Sequence, residues 1–258
     1  MMRQNTLKAI LTIFSLLFAF FWSAPLFGED FYWEEPYIPF SAQANFSQVR
    51  SGGGLTVCAY QEIRRESEER GSATISIAVS EDGRTFKEHR NVAGPFSFVG
   101  KETEIFSLAV GADRTIYLAL MLPDNTISIY SSTDQGFLFH ELYRTKPFTT
   151  TVAPRVFVKA DGGLLLFVSQ GLVRDEVATD TLAVYYAVSK DGRFWSDFAP
   201  LTTEEGLLLS FLPHHVSFGG REYVAFQVYR PGTPSTFQLY LTLSEDGGRT
   251  WGKARLIT

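Results

Sequence analysis

Four short segments of the chain each combine a serine, an aspartate, a glycine and an aromatic residue, and they could serve either chemistry or the fold. A carboxylate beside a hydroxyl could bind calcium, or it could accept hydrogen bonds from the backbone of a turn. Because the segments lack the dense oxygen-ligand spacing of a calcium loop, they predict structural turns and no metal site. We name them boxes 1 to 4, and their residues are Ser80, Asp82, Gly83 and Phe86; Ser132, Asp134, Gly136 and Phe139; Ser189, Asp191, Gly192 and Trp195; and Ser244, Asp246, Gly248 and Trp251.

The composition excludes several other kinds of chemistry. The formal net charge is −5 and lysines and arginines are scattered, so nucleic acid would find no basic patch to bind. Cys58 is the single cysteine, so no intrachain disulfide can form, and in "LTVCAY" it predicts a buried small side chain. His214 and His215 are adjacent, so on a strand they point to opposite faces and would not share a metal. No cofactor is expected.

The first 28 residues predict a secretory signal peptide. Arg3 and Lys8 precede an apolar run from Ala9 to Trp22, and "SAPLFGED" then turns small and polar. The run is shorter than the roughly 20 residues that span a bilayer, which favours cleavage near Gly28 over retention as an anchor. The mature protein is therefore expected to be secreted or periplasmic and not held in a membrane, with an N-terminal segment at 29–44.

The remainder of the sequence predicts an all-β protein. Short β-branched and aromatic runs such as "TISIAVS", "TIYLALML" and "TLAVYYAVS" alternate with Gly, Asp, Asn and Pro. No stretch carries a sustained helical period. The box serines stand at 80, 132, 189 and 244, a nearly constant interval that indicates stacked units. Four strands in each unit, repeated radially, predict propeller blades at about 45–92, 103–146, 152–201 and 211–258.

The boxes resemble the Asp-box, or BNR repeat, of sialidase-like β-propellers. Boxes 2 and 4 have the full eight-residue spacing, boxes 1 and 3 are one residue shorter, and together they cover Asn45 to Thr258. In that family the box lies on the hairpin between the third and fourth strands of a blade. The resemblance thus implies that boxes hold the fold together and that a ligand binds at the opposite end of the blades, the top face.

The resemblance also implies which side chains would meet at the top face. The first strands line the central channel and would bring Arg155 and His214 to its mouth, while top loops at 61–73, 122–126, 169–181 and 229–237 would bring Arg174 and Arg230. Such a group favours an anionic ligand through charge-assisted hydrogen bonds. The alternative is that these side chains pair with Glu104, Asp175 and Glu176 and bind nothing.

Sialidase chemistry itself is not expected. The first arginine of the sialidase triad lies in a Phe-Arg-Ile-Pro-like motif, and here that place reads "FSQV", with Ser47 in the position of the arginine. The favoured interpretation is an exported, non-catalytic module that presents its top face to a glycan or protein partner. The alternative is a divergent glycoside hydrolase that uses carboxylates such as Glu62, Asp175 or Glu176.

The number of blades leaves the ring open to three interpretations. Sialidases imply six blades, whereas four are recognisable here. Four blades could close by themselves, the ring could be incomplete, or a second chain or another partner could cover the end blades, whose apolar faces would otherwise meet water.

Overall fold

A computed structural model describes residues 44–67, 70–99, 103–148, 151–174, 177–202, 210–230 and 236–257. The described residues all belong to one compact unit, Pro39–Thr258. The predicted signal peptide and most of the segment at 29–44 therefore lie outside them. No helix in the described ranges is long and apolar enough to cross a membrane.

The described residues form sixteen strands in four antiparallel, four-stranded sheets, each in simple chain order. Blade 1 contains β1 (Ala44–Gly52), β2 (Leu55–Arg65), β3 (Arg70–Ser80) and β4 (Lys87–Val99). Blade 2 contains β5 (Phe106–Val110), β6 (Ile116–Met121), β7 (Ile127–Ser132) and β8 (His140–Arg144). Blade 3 contains β9 (Thr151–Val158), β10 (Leu164–Arg174), β11 (Val177–Ser189) and β12 (Ala199–Pro200). Blade 4 contains β13 (Ser210–Phe218), β14 (Arg221–Arg230), β15 (Thr236–Ser244) and β16 (Arg255–Leu256).

Strands replace much of what the sequence suggested were long top loops. In blade 1 the pairing of β2 with β3 continues to Arg65 and Gly71, and β4 continues to Val99, beyond the expected limit at 92. In blade 3 the β10–β11 pairing likewise reaches Arg174 and Val177. The charged composition of these segments was misleading, because a hairpin can satisfy its backbone hydrogen bonds while its side chains stay in water.

Each box closes the turn between the third and fourth strands in the same way. The backbone N–H of the box glycine donates to the serine hydroxyl at 2.8 Å in all four boxes. The aspartate Oδ1 accepts backbone N–H bonds from the residues that follow, for example Thr85 at 2.7 Å in box 1. In the longer boxes the extra residue, Gln135 or Gly247, takes a positive φ, so both box lengths give the same serine–glycine bond.

The hydrophobic core lies between neighbouring blades. Blades 1 and 2 share a cluster that includes Ile77 and Leu118, blades 2 and 3 share one with Ile129 and Leu166, and blades 3 and 4 share one with Phe167. The inner strands follow the same order, since β1 contacts β5, β5 contacts β9 and β9 contacts β13. Packing against the next blade therefore fixes the orientation of each sheet and places the four first strands around one channel.

The glycines of boxes 1 and 2 offer a matched test of this packing. Both have positive φ, but a Cβ on Gly136 would lie 2.2 Å from Ile77 Cδ1 of blade 1, whereas a Cβ on Gly83 meets no described atom within 4 Å. We expect Gly83→Ala to cost about 1 kcal/mol of unfolding free energy from backbone strain, and Gly136→Ala a further ~1–3 kcal/mol from overpacking. Urea denaturation of both variants measures the difference, and equal losses would contradict the interblade contact.

Acid should destabilise the boxes. Backbone N–H groups of Thr85 and Arg84 lower the pKa of Asp82, and the Thr250 hydroxyl, with further donors, lowers the pKa of Asp246. Lowered carboxyl pKa values stabilise the native state above the unfolded pKa of about 3.9, and this contribution disappears as the pH falls through the folded values. We expect the melting temperature to fall steeply below about pH 4.

The control replaces all four box aspartates with asparagine, which keeps an acceptor oxygen but cannot titrate in this range. The variant should show a flatter dependence of melting temperature on acidic pH. If its acid profile matched that of the wild type, other carboxylates would be responsible for the loss.

Candidate functional site

Four inner-strand residues occupy one level of the central channel. Each of them pairs with a residue of the second strand of its blade, and that residue pairs in turn with the third-strand residue three positions before the box serine. The four residues are Gln48, Ser107, Arg155 and His214. The third-strand partners at this level are Ile77, Ile129, Tyr186 and Leu241. The four blades therefore present four different polar side chains at equivalent positions.

Two of these side chains link neighbouring blades. The side-chain oxygen of Gln48 accepts the backbone N–H of Leu108 at 3.0 Å, and the Ser107 hydroxyl accepts the backbone N–H of Val156 at 3.0 Å. Both side chains are buried, so these bonds satisfy inner-strand N–H groups that water would not reach. The side chains of Gln48 and Ser107 thus stabilise the channel wall, and their hydrogen bonds to the next blade give them a structural role.

Arg155 is held by a carboxylate within the channel. Its Nη2 lies 2.5 Å from Oε2 of Glu104, and Gln48 Nε2 donates to Oε1 of the same carboxylate at 2.7 Å. The Arg155 and Glu104 side chains are 11% and 19% exposed, so little water competes for the pair. The sequence left open whether Arg155 would be available to an anionic ligand or paired with Glu104, and the structure shows the pair.

A cavity of about 590 Å³ occupies the channel near the end that carries the boxes, which we name the box face. All four inner strands and the turns that follow three of them form its wall. Among the described residues that line it, none is acidic and four are basic: Arg50, Lys159, His214 and His215.

Two of the four basic groups have partners. His215 Nε2 lies 2.7 Å from Oε2 of Glu222, and burial lowers the pKa of this histidine. Lys159 Nζ lies 3.1 Å from Asp161 Oδ2 and donates to the carbonyl of Gly247 at 3.2 Å. These two groups are therefore largely neutralised within blades 3 and 4.

The other two basic groups, Arg50 and His214, are not paired with any carboxylate of the described residues. The bond from Arg50 Nη1 to the carbonyl of Val49, at 2.8 Å, leaves most of the five guanidinium donors for other acceptors. Burial and then the nearby Arg155 charge lower the pKa of Arg50, and the pKa of His214 is lowered by burial, Arg155 and Arg50. Arg50 supplies the positive charge of this pair, and a neutral His214 can still donate one hydrogen bond, which together suit an anionic ligand.

The remaining predicted residues are not brought into this cavity by the described structure. Arg174 and Arg230 end β10 and β14, and their side chains lie outside the described part of the structure, as do Asp175 and Glu176. Glu62 accepts a hydrogen bond from Ser76 at 3.0 Å on blade 1. Cys58 is buried. Within the described ranges no group of three His, Cys, Asp or Glu side chains could hold a metal ion.

Sequence reasoning missed Arg50. The resemblance to sialidases placed the expected arginine within "FSQV", and Arg50 is the next residue along the chain. The available signal was a basic residue two positions from the Gly52–Gly53 turn of an inner strand, because residues next to such turns line the box-face end of a channel. His214 was predicted at the top mouth, whereas the cavity that it lines lies toward the box face.

Comparison with solved structures identifies the fold. The α-L-arabinanase of Penicillium chrysogenum, complexed with arabinobiose, has a TM-score of 0.59 at 17% identity, covering 86% of this chain and 69% of the enzyme. The α-L-arabinofuranosidase of Fusarium graminearum with an iminosugar inhibitor gives 0.58 at 16%, covering 87% and 69%. A Hadza microbial sialidase gives 0.54 at 17%, covering 83% of this chain. No family model and no curated protein matches the sequence.

The protein therefore has a sialidase-like β-propeller fold, as the sequence predicted. The four described blades span less than half of the Hadza sialidase, 46% of its length. The similar structures are glycoside hydrolase-like propellers, and at these identities the similarity defines the architecture alone.

Proposed function

We propose that this protein is an exported glycan-binding propeller whose channel cavity holds an acidic group of the glycan. The observation that supports it most strongly is the pair Arg50 and His214, which line one cavity without a carboxylate partner in the described residues. An arginine in a partly buried wall binds a carboxylate through charge-assisted, often bidentate, hydrogen bonds. The cavity volume of about 590 Å³ is in the usual range for small-molecule sites.

The choice of a glycan rests on the structural neighbours. These neighbours are complexes with arabinobiose, with an iminosugar inhibitor and, for a Trypanosoma rangeli sialidase, with a difluorinated KDN. Export is the second part of the proposal and rests on the order of charged, apolar and small residues at 1–28. N-terminal sequencing of the exported protein should begin near Glu29, and an intact Met1 would refute export.

The proposal is tested on a glycan array with wild type and an Arg50→Ala, His214→Ala double variant. The wild type should retain glycans that carry uronic, sialic or other sugar acids, and the double variant should lose at least tenfold of that signal. Phe194→Ala is the surface control, because Phe194 is 80% exposed in box 3 and is not among the residues that line the cavity. Equal retention by wild type and double variant would place the site elsewhere.

Glycoside hydrolysis is the second candidate, and the similarity to arabinan-degrading enzymes and sialidases favours it. Such hydrolysis normally needs two carboxylates that flank the scissile bond. Glu104 is the carboxylate that the described channel residues offer, and it is bound to Arg155. Turnover of a panel of fluorogenic glycosides that disappears in Glu104→Gln would establish catalysis. No turnover, with binding retained, would favour the non-catalytic function.

A further inference from the structure

A second cleft lies on the top face, between blades 1 and 2, away from the box-face cavity. It encloses about 380 Å³ and is reached where β4 ends and the β6–β7 turn begins. Gln61 ties the two blades together beneath it, since its Nε2 donates to the Thr103 carbonyl at 3.1 Å and its Oε1 accepts the Ile105 N–H at 3.2 Å. The cleft is therefore bounded by a fixed contact between blades.

The floor of the cleft is apolar and firmly supported. Phe96, Ile105 and Leu122 line it and pack against the core cluster that blades 1 and 2 share. Phe98 is positioned by Gly71, since a Cβ at that glycine would lie only 2.7 Å from Phe98 Cζ. A close approach that only glycine permits thus places a phenyl ring on the wall.

The described rim of the cleft is polar, and the Arg65 guanidinium carbon lies 5.8 Å from the centroid of the Phe98 ring on its wall. The hydroxyls of Ser97 and Thr103 and the side-chain amide of Asn125 make no hydrogen bond with other described residues. None of the described residues that line the cleft is an Asp, Glu, Lys or Arg. An apolar floor with an aromatic wall and a rim of donors and acceptors matches a ligand that has a C–H face and several hydroxyl groups.

We propose that this cleft binds one uncharged sugar unit, with its C–H face on the Phe96 and Leu122 side chains and its hydroxyls toward Ser97, Thr103 and Asn125. The volume is at the lower end of the ~300–1,000 Å³ range of ligand sites, which suits a single ring and not a longer chain. This site does not depend on the anion-binding function proposed for the channel.

The test is saturation-transfer NMR with the methyl glycosides of glucose, galactose, arabinose and N-acetylglucosamine. We expect at least one of them to receive saturation, strongest on the C–H protons of one ring face. Ser97→Trp and Thr103→Trp, two exposed rim positions, should each fill the cleft and reduce that signal at least fivefold.

The matched control is Thr133→Trp, an exposed position in box 2 at the opposite end of blade 2, and it should leave the signal unchanged. Arg50→Ala should also leave it unchanged, which separates this site from the channel. The proposal is overturned if no glycoside receives saturation from the wild type, or if the signal persists in both rim variants. A signal lost only in Arg50→Ala would also overturn it by assigning the sugar to the channel.

Discussion

Replacing Trp251 of box 4 with alanine should lower the free energy of unfolding by about 3–5 kcal/mol, the usual cost of truncating a large aromatic side chain in a core. The Trp251 ring packs edge-on against Phe167 at 6.0 Å and Tyr186 at 5.9 Å, so it joins the β-sheets of blades 3 and 4. Its loss would leave a cavity in the cluster that these blades share. Equilibrium denaturation in urea measures the change.

Two controls separate packing from a general effect of removing an aromatic residue. Phe194→Ala, at a position that is 80% exposed, should change the free energy by no more than about 0.5 kcal/mol. Trp251→Phe should lose clearly less than Trp251→Ala, because it keeps a ring and removes an Nε1–H that has no described partner. A loss below about 1 kcal/mol for Trp251→Ala would contradict the structural role of box 4.

The Glu104→Ala variant should have the second largest effect, a loss of about 3 kcal/mol, because it leaves the Arg155 charge largely buried and unpaired. Removing one partner of a buried pair typically costs ~3–5 kcal/mol, and the partial exposure of Glu104 favours the lower end. Thermal and chemical denaturation of the purified variant give the value.

The double variant Glu104→Leu, Arg155→Met is the matched control. Replacing both partners of a buried ion pair with apolar residues is often neutral, so the double variant should recover most of the lost stability. If Glu104→Ala were as stable as the wild type, water or another group would be solvating the Arg155 charge. The Arg155–Glu104 pair would then not be shielded from water as described.

The strands and the repeat were predictable because they depend on local patterns. The β-branched runs, the glycine turns and the interval between box serines all act within a few residues of one another. They indicated four four-stranded blades, and the described residues form four such sheets. The extent of the strands was less predictable. Backbone pairing extends the hairpins to Arg65 and Arg174, but the charged residues of these segments suggest loops when only the sequence is considered.

The channel was harder to predict because its chemistry depends on register between blades. Nothing local in "FSQVR" shows that Arg50 faces the same cavity as His214, which lies more than 160 residues further along the chain. The Arg155–Glu104 pair could be named as an alternative, but choosing it required the distance of 2.5 Å between the two side chains. Long-range pairing of charges is set by packing and cannot be derived from sequence periodicity.

Titration of two sugars that differ in one group tests the central claim most directly. Methyl β-D-glucuronide carries a carboxylate where methyl β-D-glucoside carries a hydroxymethyl group, so calorimetry with both, in a Thr103→Trp variant whose top-face cleft is filled, isolates the acidic group. The account predicts that this variant prefers the glucuronide, that salt weakens this preference, and that adding Arg50→Met reduces it by about 10- to 100-fold. Equal affinity for the two sugars, or a preference for the glucuronide that survives in Arg50→Met, would contradict an anion site in the channel.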